Sequence, residues 1–194
     1  MNMKIKPFVA DYLTRLKLVL DDIDVNIVSD IIDTLEETVV NNSRIYIIGN
    51  GGSSATASHM ANDLGAGGMR RRDIVNFDVI SLADNSPVIT AVANDIGYEN
   101  IFYMQMRGLI NPTDIVIAIS CSGNSPNIIK AVDYAKTVGC KIIGMTGFNG
   151  GHLKKVSDIN FHVNVPKNEY GLVEDVHMIL DHIIYSYYIQ RSVK

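Results

Sequence analysis

The sequence predicts an α/β fold, a three-layer αβα sandwich around a five-stranded parallel sheet, and three observations carry that prediction. Short apolar runs rich in isoleucine and valine alternate with longer segments of helical spacing, the pattern of repeated βαβ units. Two of the runs, Ile45-Tyr46-Ile47-Ile48 and Ile115-Val116-Ile117-Ala118-Ile119, are unbroken, as strands buried on both faces are. Each of these two runs ends in a polar, glycine-bearing turn followed by a helix start.

Taken in order, residues 8 to 41 carry helical spacing twice. Leu13, Leu16, Val19 and Leu20 mark one stripe; Ile27, Val28, Ile31, Ile32, Leu35 and Val39 mark the next. Asp21, Asp22 and Asp24 lie between them and supply capping chemistry. This helical hairpin, residues 1–42, is expected to pack on its own domain or on a neighbouring subunit, the second being preferred. The first strand follows at Ile45–Ile48, then the turn Gly49-Asn50-Gly51-Gly52-Ser53-Ser54 and a helix over Ala55–Leu64. Gly65 to Arg72 reads as a flexible basic loop. Arg70, Arg71 and Arg72 are candidates for a phosphate or a subunit contact, although a solvated loop is the commoner outcome.

Phe77–Leu82 is the second strand. Ser86-Pro87 then fits the N-cap and first position of a helix that Asn94 to Tyr98 breaks. Asp114–Ile119 is the third strand. It runs into Ser120-Cys121-Ser122-Gly123-Asn124-Ser125-Pro126 and a helix over Asn127–Val138, with Ser125-Pro126 again reading as N-cap and first position. Lys141–Thr146 and Ile159–Val165 complete the sheet, and residues 171–190 form the last helix.

At 194 residues the chain suits one domain, residues 1–194, with ample core. A net charge of −4 does not favour nonspecific nucleic-acid binding, so no nucleic-acid partner is expected. Cys121 and Cys140 form no disulfide framework and no Cys-x-x-Cys metal motif. No membrane-length apolar run and no signal-peptide pattern is seen, so a cytoplasmic protein without a membrane partner is expected.

Strand, glycine-rich turn, hydroxyls and helix start together make an anion site. Glycine lets the backbone approach a ligand, and the first amides of a helix have no internal partner. The first turn is not a P-loop, since no Gly-Lys-Ser/Thr follows, nor a dinucleotide fingerprint, since the third glycine position holds Ser54. The second turn repeats its logic. In open parallel sheets ligands bind beyond such strand ends. His59 and Asp63, four residues apart, share a helix face as a metal pair or an acid–base element. The last helix carries Glu174, Asp175, His177, Asp181 and His182 among Val173, Val176, Ile179, Leu180 and Ile183, an unusual density of ionisable groups for so apolar a segment. Glu174 and His182 stand about 12 Å apart along such a helix, so one ion reaches both only through long inward reaches or a second subunit.

The two turns resemble those of the sugar isomerase (SIS) domain. His59 within HMANDL, Ala93-Asn94-Asp95 with Gly97, Gly147 with Gly150-Gly151, and Glu174-Asp175-Val176-His177 with His182 narrow the likeness to the phosphoheptose isomerase family. The resemblance covers nearly the whole chain. It implies a flavodoxin-like sheet, a homotetramer with active sites between subunits, and aldose–ketose isomerisation of a phosphorylated seven-carbon sugar, sedoheptulose 7-phosphate. It also implies one zinc per subunit, held by His59, Asp63, Glu174 and His182. Asn50, Gly51, Gly52, Ser53, Asn94, Asp95, Ser120, Cys121, Ser122, Ser125 and Glu174 would line the substrate site, with Asp63 as catalytic base and His182 as acid. Here Asp63 stands where the family has Glu, Glu174 where it has Gln, and Cys121 where it has a hydroxyl residue. Two other expectations are an isomerase of a different sugar phosphate and a regulatory binding protein on the same scaffold, which would have little use for the ionisable set.

Overall fold

A computed structural model describes residues 4–192. Its elements run α1 (Ile5–Asp21), α2 (Val25–Asn41), β1 (Arg44–Gly49), α3 (Gly52–Leu64), β2 (Asp78–Ser81), α4 (Ser86–Ile96), α5 (Tyr103–Met106), β3 (Ile115–Ser120), α6 (Pro126–Val138), β4 (Lys141–Gly147), α7 (Gly151–Val156), β5 (Ile159–Val163) and α8 (Tyr170–Arg191). All strand pairs are parallel and the sheet order is β2-β1-β3-β4-β5, the flavodoxin-like order. From β1 the chain steps to β2 on one side, then crosses to β3 on the other. The strand order therefore reverses between β1 and β3, which pair from Ile45↔Ile115 to Gly49↔Ile119. The two polar turns leave these two strands at their C-terminal ends, where an open α/β sheet has its crevice.

Alternation along the strands divides the core into two layers. Ile45, Ile47, Ile115, Ile117 and Ile119 face α2, α3 and α8, meeting Leu35, Met60, Leu64, Val176 and Leu180. Tyr46, Ile48, Val116 and Ala118 face the other way, onto Phe102, Met106, Ile128, Val132 and Leu153. The hairpin divides similarly. α2 buries Val28, Ile31 and Leu35 in the first layer, whereas α1 has no buried residue and exposes Ile5, Phe8, Val9, Leu13 and Leu18. α1 is tied to α8 by Tyr12, whose hydroxyl donates to Asp175 at 2.6 Å, and by Arg15 to Glu169 at 2.9 Å.

Several boundaries differ from expectation. The N-cap of α4 is Asn85, not Ser86: the Asn85 side-chain oxygen accepts the Val88 amide at 3.2 Å, and Ser86 lies inside the helix. α4 continues through Asn94 and Asp95 and stops at Gly97, whose φ of 100° suits glycine. β5 stops at Val163 rather than Val165. The basic loop is ordered, because its arginines bond to their own surroundings. Arg70 donates to Asn76 and to the Phe77 carbonyl at 2.7 and 2.8 Å, and Arg72 donates to the Gly68 carbonyl at 3.2 Å. Among the described residues no helix is long and apolar enough to cross a membrane.

Candidate functional site

The site begins at the crevice. Gly51, at φ 54°, turns the chain out of β1 so that α3 starts with its free amides toward the opening. Gly52 lies directly against the Glu174 carboxylate, which a Cβ there would push aside. Asn50 is held from two sides. It exchanges amide hydrogen bonds with Asn127 at 2.9 and 2.8 Å and accepts the Tyr98 hydroxyl at 3.1 Å. Across the crevice, the Ser120 hydroxyl accepts the Gly123 amide at 3.2 Å and stands 3.4 Å from the Ser125 hydroxyl. Ser125 occupies the N-cap of α6 with Pro126 at the first position, but its hydroxyl makes no capping bond; it faces Ser120. A cleft of about 180 Å³ lies between the turns, bounded by Asn50, Ser53, Ser120, Ser122, Ser125 and Glu174, with Ile119, Cys121 and Tyr170. The N-termini of α3 and α6 both open on it, so partial positive charge gathers where the hydroxyls point.

Cys121 is buried in this wall. Burial first, and then the charge of Glu174, push its thiol up to about 11, so it stays protonated and serves as a small packing group rather than a nucleophile. Asn94 and Asp95 do not reach the cleft walls. They are exposed on α4 and bond to each other at 2.8 Å, while Tyr98, a few residues on, is what reaches Asn50.

A second group of polar side chains lies along the seam between α3 and α8, which run side by side in the same direction. The Nε2 atoms of His59 and His182 face each other at 3.2 Å. His59 Nε2 lies 3.5 Å from an Asp63 oxygen and 3.9 Å from an Asp181 oxygen, and one donor atom from each of the four residues lies within 4.8 Å of the others. Asn62 donates to the second Asp63 oxygen at 3.0 Å, fixing that carboxylate. Asp181 is fully buried, and neither of its oxygens has a hydrogen-bond partner. Burial, and then the charge of Asp63, push its carboxyl up to about 7.

The donor set fits a divalent cation. Tetrahedral sites with metal–nitrogen bonds of about 2.0–2.1 Å place donors about 3.3 Å apart, close to the 3.2 and 3.5 Å separations here. Two carboxylates would balance the charge, and imidazole and carboxylate are the ligands such ions accept. Of the four metal ligands the sequence suggested, the structure brings His59, Asp63 and His182 together. Glu174 stands apart, in the cleft wall beside Gly52, seven residues or about 10 Å of helix before Asp181. His177 belongs to neither group. It is buried toward the sheet, donating from Nε2 to the Thr146 carbonyl at 3.3 Å. Asp175 faces outward to Tyr12.

Sequence reasoning missed Tyr170 as part of the cleft, Tyr98 and Asn127 as the residues that hold Asn50, and Asp181 as a member of the cluster. For Asp181 a signal existed: it lies seven residues after Glu174 and so on the same helix face. Tyr98 and Asn127 carried none.

The model of the SIS domain family matches residues 10–147. The chain is similar to phosphoheptose isomerase from Aliarcobacter butzleri, 39% identical over 148 residues, covering 76% of each chain. It is similar to the Helicobacter pylori (strain P12) phosphoheptose isomerase at 38% identity over 150 residues, 77% of this chain and 76% of the relative. Among solved structures, the phosphoheptose isomerase GmhA of Neisseria gonorrhoeae superposes with a TM-score of 0.83 at 27% identity, covering 96% of this chain and all of that one.

Proposed function

The chain belongs to the SIS domain family, with phosphoheptose isomerases as its relatives, and from that membership we propose that it isomerises sedoheptulose 7-phosphate to D-glycero-D-manno-heptose 7-phosphate. The observation that carries the proposal is the pairing of two chemistries along one seam. An anion-binding cleft lies at the start of α3 and α8, and an imidazole–carboxylate cluster lies about 10 Å further along both helices. An extended sugar phosphate has the same polarity, with a phosphoryl group at one end and a carbonyl at the other.

The phosphoryl group belongs at the Ser120–Ser125 turn, where hydroxyls and the α6 N-terminus favour an anion. Glu174 would repel it and instead accepts hydrogen bonds from sugar hydroxyls, with Asn50 and Ser53 opposite. Asn94 and Asp95, expected in the substrate site, are not among the residues that line this chain's own cleft. Holding both ends fixes the reacting carbons against the cluster, which is where orientation lowers the barrier.

Asp63 is the base. It takes a proton from C1 of the ketose, the C–H electrons form the C1–C2 double bond, and the carbonyl oxygen at C2 takes a proton from His182. The resulting enediol then loses its O1 proton to His182 while C2 receives a proton from the Asp63 carboxyl, which exchanges with solvent while the enediol lasts, leaving an aldehyde at C1. Asn62 keeps the Asp63 carboxylate aimed throughout. Zinc held by His59, Asp63 and His182 would supply Lewis acidity that polarises the substrate oxygens.

The assembly we propose is a homotetramer, supported by the unpartnered apolar residues Ile5, Phe8, Val9 and Leu13 of α1. A reducing, cytoplasmic setting is consistent with two buried free thiols. Asp63→Asn and His182→Ala are each expected to lower turnover of sedoheptulose 7-phosphate by at least about 100-fold, the scale of a lost general acid or base, with circular dichroism unchanged. Near wild-type rates in both folded variants would remove these two residues from the mechanism.

A further inference from the structure

We propose that Asn127 and Tyr98 are positioning residues: they hold the Asn50 carboxamide with its free N–H turned to the cleft, so that Asn50 meets a bound sugar phosphate as a hydrogen-bond donor. The inference rests on reading the cleft as the sugar-phosphate site. A carboxamide has two acceptor positions on oxygen and two protons on nitrogen. On Asn50 both oxygen positions are taken, by the Asn127 amide at 2.8 Å and the Tyr98 hydroxyl at 3.1 Å. One proton is taken too, donated to the Asn127 oxygen at 2.9 Å. The Asn50 side chain makes no other hydrogen bond among the described residues, so one proton is left. Asn50 lines the cleft with Ser53, Ser120, Ser122 and Ser125, and a donor is what an oxygen-rich anion requires of it.

The two paired amides would match equally well if both were turned over, and the third partner breaks that symmetry. The Tyr98 hydroxyl makes no other hydrogen bond among the described residues, so its proton goes to the Asn50 oxygen and fixes which end of the amide faces away from the cleft. Asn127 supplies rigidity, being buried one residue beyond Pro126 at the start of α6. Tyr98 is exposed and follows Gly97, the residue that ends α4. Its bond therefore ties the end of α4 to the first turn, while Asn127 ties the first turn to the second. Without these partners the Asn50 amide rotates about a soft terminal torsion, and some of its orientations put a carbonyl oxygen against the oxygens of the ligand.

The test uses the full chain and sedoheptulose 7-phosphate, read by calorimetric Kd, by KM and kcat, and by NMR of the Asn50 side-chain amide. Tyr98→Phe removes one hydroxyl from an exposed position. It is expected to raise Kd and KM by about 3–10-fold, the range of one hydrogen bond, with kcat within about twofold of wild type. Asn127→Leu should raise Kd and KM further. In an Asn50→Ala background, Tyr98→Phe should change nothing more, which a tyrosine that only supports the fold would not show. On wild type, one side-chain amide proton of Asn50 should shift as the sugar phosphate is added, while the proton bonded to Asn127 holds its position. Wild-type Kd and KM in Tyr98→Phe would overturn the proposal. So would an equal loss from that change with and without the Asn50 side chain, or two unmoved Asn50 protons. Binding without turnover in wild type, with the expected changes in Kd, would remove the isomerase reading and leave the proposal standing. Normal turnover with an unchanged Tyr98→Phe would do the reverse, and a wild type that binds no sugar phosphate would remove both.

Discussion

His177 shows how one side chain couples the fold to pH. It is buried with Nε2 on the Thr146 carbonyl and Nδ1 unbonded, and burial lowers its pKa to about 4. The folded protein therefore holds the neutral ring. Above the ordinary histidine value of about 6.5 both states are neutral and the contribution is complete. As pH falls from there toward about 4, the unfolded chain takes up a proton that the folded chain refuses, and stability is lost. The loss is on the order of 3 kcal/mol over that window. Urea midpoints measured from pH 7.5 to 4 should fall more steeply for wild type than for His177→Gln, and equal slopes would contradict the account. Single residues were unevenly legible in the sequence. His59 and Asp63 declared themselves by a four-residue spacing, and His182 by its place in the family pattern. His177 did not, and the helix face that Asp181 shares with Glu174 was only a partial signal, because an ionisable group on an apolar helix does not reveal whether it meets a partner, a ligand or only the core.

At the scale of elements, the crevice depends on two turns being held in register by a third. Gly123 sits at φ 62°, and its carbonyl accepts the Leu153 amide of α7 at 3.0 Å. A Cβ at this position would collide with the Gly150 carbonyl. Gly123→Ala is therefore expected to cost about 1–3 kcal/mol in thermal or urea unfolding. It should also raise KM for the phosphorylated substrate, since the serine turn must move; unchanged stability and KM would show that the turn tolerates the side chain. The strands and long helices were legible because apolar runs and 3.6-residue stripes span enough chain to signal. α5 and α7 were not, since four and six residues leave no period to read. The α4 cap was misplaced by one residue because Asn85 and Ser86 are both good caps and only geometry decides between them. The arginine loop was expected to be mobile from its glycines, but bonds to Asn76 and to backbone carbonyls order it.

At the scale of the whole molecule, the strand order places both turns at the reversal between β1 and β3, and the parallel run of α3 beside α8 carries the site away from the sheet toward the cluster. Sequence spacing alone left the distance between Glu174 and His182 unresolved as a problem for a single ion. Within one folded chain Glu174 lies in the cleft wall and His182 in the cluster, so the two stand in separate groups. α1 leaves Ile5, Phe8, Val9, Leu13 and Leu18 exposed at the far side of the hairpin. The central claim is that this seam moves a proton between adjacent carbons of a sugar held by its phosphate. It is tested most directly by incubating the protein with sedoheptulose 7-phosphate in deuterium oxide and following C1 and C2 by NMR. The account predicts conversion to the aldose with solvent deuterium entering at C2 and exchange at C1 of the recovered ketose. Saturable binding of the sugar phosphate without conversion or exchange would contradict it.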